Sequence, residues 1–224
     1  MKKNISLIYQ SIALLMILSA VFMLVEPAIA LGVEDQFTIT QVVSAEIAFL
    51  TPATDIVLVP TLAGMTGGTS NGGTQVAVRS NNDTGYTMTI KASSTIGSMV
   101  GNTAGGSIPA YVTATPGVPD YDMTPAANTA GFAYTVEAST TADLSTSFKD
   151  SASACDASGG SDTQLQCWIA ATSTEYTLVN RSTATAASGS TTTLRFRVVI
   201  NANPLPLIPD DTYVATTTLT AVNN

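Results

Sequence analysis

The sequence predicts an all-β protein, a single antiparallel β-sandwich of the Ig-like or Greek-key type with long Gly, Pro, Ser and Thr loops. Three observations carry that prediction. Charged residues make up only 11% of the 224, and abundant Thr, Ser, Gly and Ala replace the Lys and Glu that favour exposed helix faces. Short runs alternate apolar and polar residues with period two. Glycine and proline clusters separate those runs, and no helical period connects them.

The first thirty residues stand apart. Lys2 and Lys3 precede a charge-free apolar stretch over residues 12–25, and Ala28-Ile29-Ala30 follows Pro27. That order describes a secretory signal peptide cut after Ala30. The rival expectation is an uncleaved anchor, because the stretch without charge over residues 5–25 is just long enough to span a bilayer. The expected organisation is a signal peptide over 1–30 and one β-sandwich surface domain over 31–224. No membrane span is expected after cleavage.

Phe37, Ile39, Val43, Ala45, Ile47 and Phe49 share odd positions, which predicts a half-buried strand, or a strand broken once near Gln41, ended by Pro52. Ile56-Val57-Leu58-Val59, stopped by Pro60, reads as a short buried strand. Residues 65–73, MTGGTSNGG, read as a flexible loop. Residues 75–79 and 86–91 then alternate on either side of Asn81-Asn82-Asp83-Thr84-Gly85. Asn and Asp bond their own backbone and Gly supplies positive φ, so the stretch reads as a β-hairpin with Tyr86, Met88 and Ile90 on its core face. Residues 94–130 are loop-like with one short strand near Tyr111-Val112-Thr113. A strand follows over 132–136, then a polar insertion over 138–160, the stretch 165–170 around Trp168, and a strand over 176–179. The last two strands are 194–200, where Leu194, Phe196, Val198 and Ile200 alternate, and the Thr-rich run from Tyr213 to Val222. About eight strands result.

The chain carries 8 basic and 16 acidic residues, and removal of the leader leaves 6 and 15. A net charge near −9 argues against nucleic acid and anionic membrane surfaces as partners. Cys155 and Cys167 are the only cysteines. With an export signal, an even count predicts a disulfide.

The chain has no histidine, which excludes a Ser-His-Asp triad, a Cys-His pair and imidazole metal sites. Glu46 and Glu137 fall on predicted strands and are expected to face solvent. No catalytic residue is nominated, and no cofactor is expected beyond a weak calcium possibility. Asp120 and Asp122 in a Pro-rich loop, with Asp210 and Asp211 in the last bend, are its candidate ligands. Lys91 is expected to point outward and Lys149 to lie in the polar insertion, which leaves no core lysine for an isopeptide crosslink. The sequons Asn82-Asp83-Thr84 and Asn180-Arg181-Ser182 are candidate glycan acceptors. Trp168 is expected to pack over the disulfide rather than serve as a sugar platform.

Three features carry a resemblance: Val78-Arg79-Ser80-Asn81-Asn82-Asp83-Thr84-Gly85-Tyr86-Thr87-Met88-Thr89, Thr193-Leu194-Arg195-Phe196-Arg197-Val198-Val199-Ile200, and Pro209-Asp210-Asp211-Thr212-Tyr213 with the threonines after it. In these the chain resembles secreted bacterial cell-surface β-sandwich proteins of the WxL-like and pilin-like kind. The likeness covers mainly residues 75–92 and 193–222. The Trp-x-Leu signature is missing, Trp168-Ile169-Ala170 standing instead. The resemblance implies a cell-surface location, adhesion or fibre assembly, and no catalysis. The expected function is a non-enzymatic exported structural protein, a fibre or surface-layer subunit or adhesin. Its expected partners are other copies of itself, other surface proteins or glycans. The alternative is a secreted glycan- or calcium-binding module. Should it polymerise, residues 36–49 are the candidate donor strand.

Overall fold

The computed structural model describes residues 9–17, 34–93, 97–103, 105–152, 155 and 162–224. The chain divides into two units, Met1–Val42 and Val43–Asn224. In the first, residues 9–17 are helical within the apolar stretch of the predicted leader, and its cleavage site lies outside the described residues. No helix among the described residues is long and apolar enough to cross a membrane. Residues 34–46 form no regular element.

The second unit is a β-sandwich of short strands: β1 (Ile47–Thr51), β2 (Gly68–Ser80), β3 (Tyr86–Ala92), β4 (Met99–Gly101), β5 (Ser107–Ile108), β6 (Asp120–Tyr121), β7 (Ala130–Ala138), β8 (Cys167–Trp168), β9 (Tyr176–Arg181), β10 (Ser190–Ile200), β11 (Tyr213–Val214) and β12 (Thr217–Asn223). One layer has the order β1-β2-β10-β7 and the other β12-β3-β9, every neighbouring pair antiparallel. Two small sheets, β11-β4-β5 and β6-β8, complete it. Val76, Val78, Tyr134, Val136, Leu194 and Phe196 from the first layer share one core with Tyr86, Met88, Ile90 and Val179 from the second. The period-two pattern accounts for these faces, since β3 and β10 alternate buried and less buried residues along their whole length.

The expected hairpin is corrected. Strand β2 pairs with β1 and β10, whereas β3 pairs with β12 and β9. The Asn81–Gly85 arc carries the chain from one layer to the other. Apolar residues of both runs fill one core, which facing layers accomplish and a flat hairpin does not. The core face itself is as expected: Tyr86, Met88 and Ile90 are almost fully buried.

The glycine-rich loop is likewise corrected, because residues 68–73 belong to β2. Strand β10 is long enough to template them, pairing Ile200 with Gly68 and Phe196 with Gly72. Gly72 also makes room: a Cβ there would sit 2.6 Å from Ile56 Cγ2 and 2.8 Å from Leu58 Cδ2. Those two side chains therefore pack over the sheet. Residues 56–59 are not the buried strand expected of them. They bridge β2 only at Val59 and Asn71, and Val57 is exposed.

The predicted strand over 36–49 survives only as β1. Glu46 still pairs with Asn81, but β2 ends at Ser80 and the chain then crosses to the other layer. The last strand is split into β11 and β12, which join different sheets. Residues 111–113 form no strand, their only pairing being a bridge from Ala110 to Phe132. The polar insertion opens with three 3-10 turns, Thr141–Asp143, Thr146–Phe148 and Asp150–Ala152. The second drives Phe148 into the core, with ring centroids 5.9 Å from Tyr134 and 5.6 Å from Tyr176.

Candidate functional site

The predicted disulfide is formed, with Cys155 and Cys167 both buried in the main core. Adjacent strand residues point to opposite faces. Trp168 accordingly turns away from the bridge into a second cluster with Tyr111, Met123, Ala133 and Ala170 on the outer side of β7. The Arg197 guanidinium stacks 4.1 Å above its ring. At 2% exposure, Trp168 is no sugar platform.

The calcium candidates do not converge. Asp120 accepts the Tyr111 hydroxyl at 2.8 Å and the Ala114 N–H at 2.9 Å. Burial and this carboxylate together push the Tyr111 phenol up to about 12. Asp211 accepts the N–H groups of Thr103 at 2.8 Å and Thr212 at 2.7 Å. Asp122 adopts φ 57° beside β6, and Asp210 is exposed in the bend. No group of three or more His, Cys, Asp or Glu side chains suited to a metal occurs among the described residues.

Lys91 points outward, as expected, and pairs with Glu175 at 3.2 Å. Lys149 lies in the insertion and donates to the Ala142 carbonyl. Glu46 is exposed and Glu137 half-buried. In the sequons, Asn180 is an exposed residue of β9. The Asn82 amide donates to Thr84 Oγ1, Gly85 O and Asn224 O, so that side chain is already part of the fold.

Asn81 is the residue whose role sequence reasoning understated. Its Oδ1 accepts the Glu46 N–H at 2.6 Å, its Nδ2 donates to Ser44 O at 3.1 Å, and its own N–H donates to Glu46 O at 3.3 Å. The cluster read as a simple bend thus ties down the entry to β1 through Asn81 and the C-terminal Asn224 through Asn82. An amide placed just past a strand end, with no hydrophobic reason to be there, was the available signal.

The feature with the reach of a site is an apolar cleft of about 690 Å³ between the two layers. One wall is Phe49 and residues 52–58, and the other is residues 214–219, which lead into β12. Ile90, Leu194 and Phe196 lie at its base but are themselves buried, so the cleft stops at the core surface. Both walls are sheet margins. Strand β12 is the last strand of its layer, and β2 is paired with β1 only over Ala77–Ser80. Phe49 is 36% exposed and Val214 47%. A second, more polar cleft of about 610 Å³ is lined by Thr146, Lys149, Glu175 and Tyr176 among others.

The geometry is that of an apolar cleft beside the last strand of a sheet. Comparison with protein-family models, with curated proteins and with solved structures finds no match to this chain.

Proposed function

We propose that this chain is a non-enzymatic exported structural protein, a surface or fibre subunit or adhesin on the cell exterior. The observation that carries the reading is the seam between β12 and residues 52–58, where the exposed Phe49 and Val214 line an apolar cleft beside the last strand of its layer. A monomer working alone gains nothing from such an opening, because exposed edges invite association and are ordinarily covered. A buried disulfide suits an oxidising compartment outside the cytoplasm. The resemblance to WxL-like and pilin-like surface proteins points the same way.

Electron microscopy of the purified protein and of the source cell surface tests the proposal. Fibres or ordered arrays that an antibody to this chain labels are the expected result. Dispersed monomers in both would overturn it. The rival binding module has one observation on its side, the polar cleft around Lys149, Glu175 and Tyr176. Specific binding on a glycan array, lost on Lys149→Ala and Glu175→Ala, would transfer the proposal to that cleft.

A further inference from the structure

Charge is spread unevenly over the sandwich. Removal of the leader leaves 6 basic and 15 acidic residues, yet β1, β2 and β10 contain no Asp or Glu and hold Arg79, Arg195 and Arg197. These arginines share the outer face of the sheet, because the residues beside them in sequence, Val78, Leu194, Phe196 and Val198, belong to the core. In register, Arg197 stands opposite Asn71 and Arg195 opposite Gly73, and Arg79 follows farther along β2 on the same face. The stripe from Asn71 to Arg79 is about 27 Å long and, across three strands, about 10 Å wide. The ion pairs among the described residues use Lys91 and Arg181, so the three arginines meet no carboxylate at ion-pair distance there. Two acids border the stripe: Glu137 of β7 stands opposite Thr193, and Asp122 acts on Arg197 through space. Arg197 is held in place from beneath by the Trp168 ring at 4.1 Å, and its Nε donates to Asn71 Oδ1 at 2.7 Å. A guanidinium fixed in this way loses little freedom on meeting a ligand.

Resting on the cell-exterior reading above, we infer that this stripe binds a carboxylate-bearing polysaccharide, a single chain lying along β2 with its uronate groups on Arg197, Arg195 and Arg79. The guanidinium fork matches a carboxylate bidentately. Asn71 and Gln75 are exposed between the arginines and Thr193 is half-buried, so amides and a hydroxyl stand ready for sugar hydroxyls. Gly73, also exposed, carries no side chain and lets a ligand reach the sheet surface beside Arg195. Inorganic polyphosphate would satisfy the arginines but bring no hydroxyls to these neighbours. A nucleic-acid duplex is wider than the stripe and would be repelled by the acidic surface around it. Single-stranded nucleic acid is held largely by stacking on exposed aromatics, and Trp168 is buried beneath Arg197 at 2% exposure. The stripe lies on the opposite face of its sheet from the apolar cleft, which is lined by Thr74, Leu194 and Phe196.

The test measures binding of the exported full chain to polygalacturonate and to alginate by interferometry at low and high salt. Methyl-esterified polygalacturonate and inorganic polyphosphate are the comparison polymers. The Arg79→Gln/Arg195→Gln double variant removes two exposed cations of the stripe, Lys91→Gln/Lys149→Gln removes the same charge elsewhere, and thermal melting checks the folding of both. The expected result is binding of the two acid polymers, weakened by salt, and none of the ester. The arginine double variant should bind about fivefold more weakly, the loss of two exposed ionic contacts, and the lysine double variant as the wild type does. Equal weakening in both variants would reduce the effect to net charge and overturn the inference, as would equal binding of ester and acid. Polyphosphate bound in preference to both uronate polymers would overturn the choice of ligand. No binding of either uronate polymer overturns the inference and leaves the surface-subunit reading to the microscopy above. Dispersed monomers that bind the acid polymers through Arg79 and Arg195 would overturn the fibre form of that reading and leave this inference standing.

Discussion

Replacing Phe148 with Ala removes one of the side chains, with Leu144 and Cys155, through which the insertion after β7 enters the core. Phe148 is 1% exposed and touches Tyr134 and Tyr176, one tilted and one edge-on. Truncation of a buried Phe costs about 3–5 kcal/mol through lost transfer energy and the cavity left behind. The rings around it are held by β7 and β9, which are strand-paired and little free to collapse, so a value near the middle, about 4 kcal/mol, is expected. In a domain of this size each kcal/mol moves Tm by about 2–4 °C, which gives a fall of about 8–16 °C. Trp168 fluorescence in urea would follow the transition, with Val57→Ala as the control. Val57 is 83% exposed, and its truncation should change stability by less than about 0.5 kcal/mol. A loss below about 1 kcal/mol for Phe148→Ala would show that the insertion does not plug the core. The backbone bond from Ser145 N–H to Leu178 O, the Leu144–Val179 bridge and the Arg181–Asp143 pair would then tie it to β9 instead.

Two further outcomes follow from buried groups. Changing Cys155 and Cys167 together to Ala opens a loop closed over a separation of 12 residues, and chain entropy predicts a loss of about 3 kcal/mol, read as a lower urea midpoint. Burial raises the phenols of Tyr86, Tyr111, Tyr134 and Tyr176. A raised folded-state value means that the unfolded chain ionises first, so stability is intact below pH about 10 and falls as pH rises beyond it. Tyr111, pushed up to about 12, places its own share of the loss between about pH 10 and 12. Melting series across that window should show the decline, and Tyr111→Phe should make it shallower. A melt unchanged from pH 9 to 12 would contradict the burial of these rings.

Periodicity made the faces of β3 and β10 legible, since each alternates without a break and each is buried on the face its apolar residues name. It did not reveal partners. Two alternating runs joined by Asn, Asp and Gly look alike whether they form a hairpin or line the two walls of one core, because parity records which side of a strand is apolar and carries no information about the layer it joins. Residues 68–73 were missed for a related reason. Their small and polar side chains give no pattern of their own, and β10 supplies the pairing from the far end of the sequence. Phe148 was hidden because a lone aromatic in a polar stretch has no period at all.

The same limit bears on residues 37–43 from the other side. Alternation there promises a buried face, yet the described residues 37–43 form no strand and Phe37, Ile39 and Val43 are exposed. A strand pattern without a partner in its own fold is either an accident of composition or the record of a partner elsewhere.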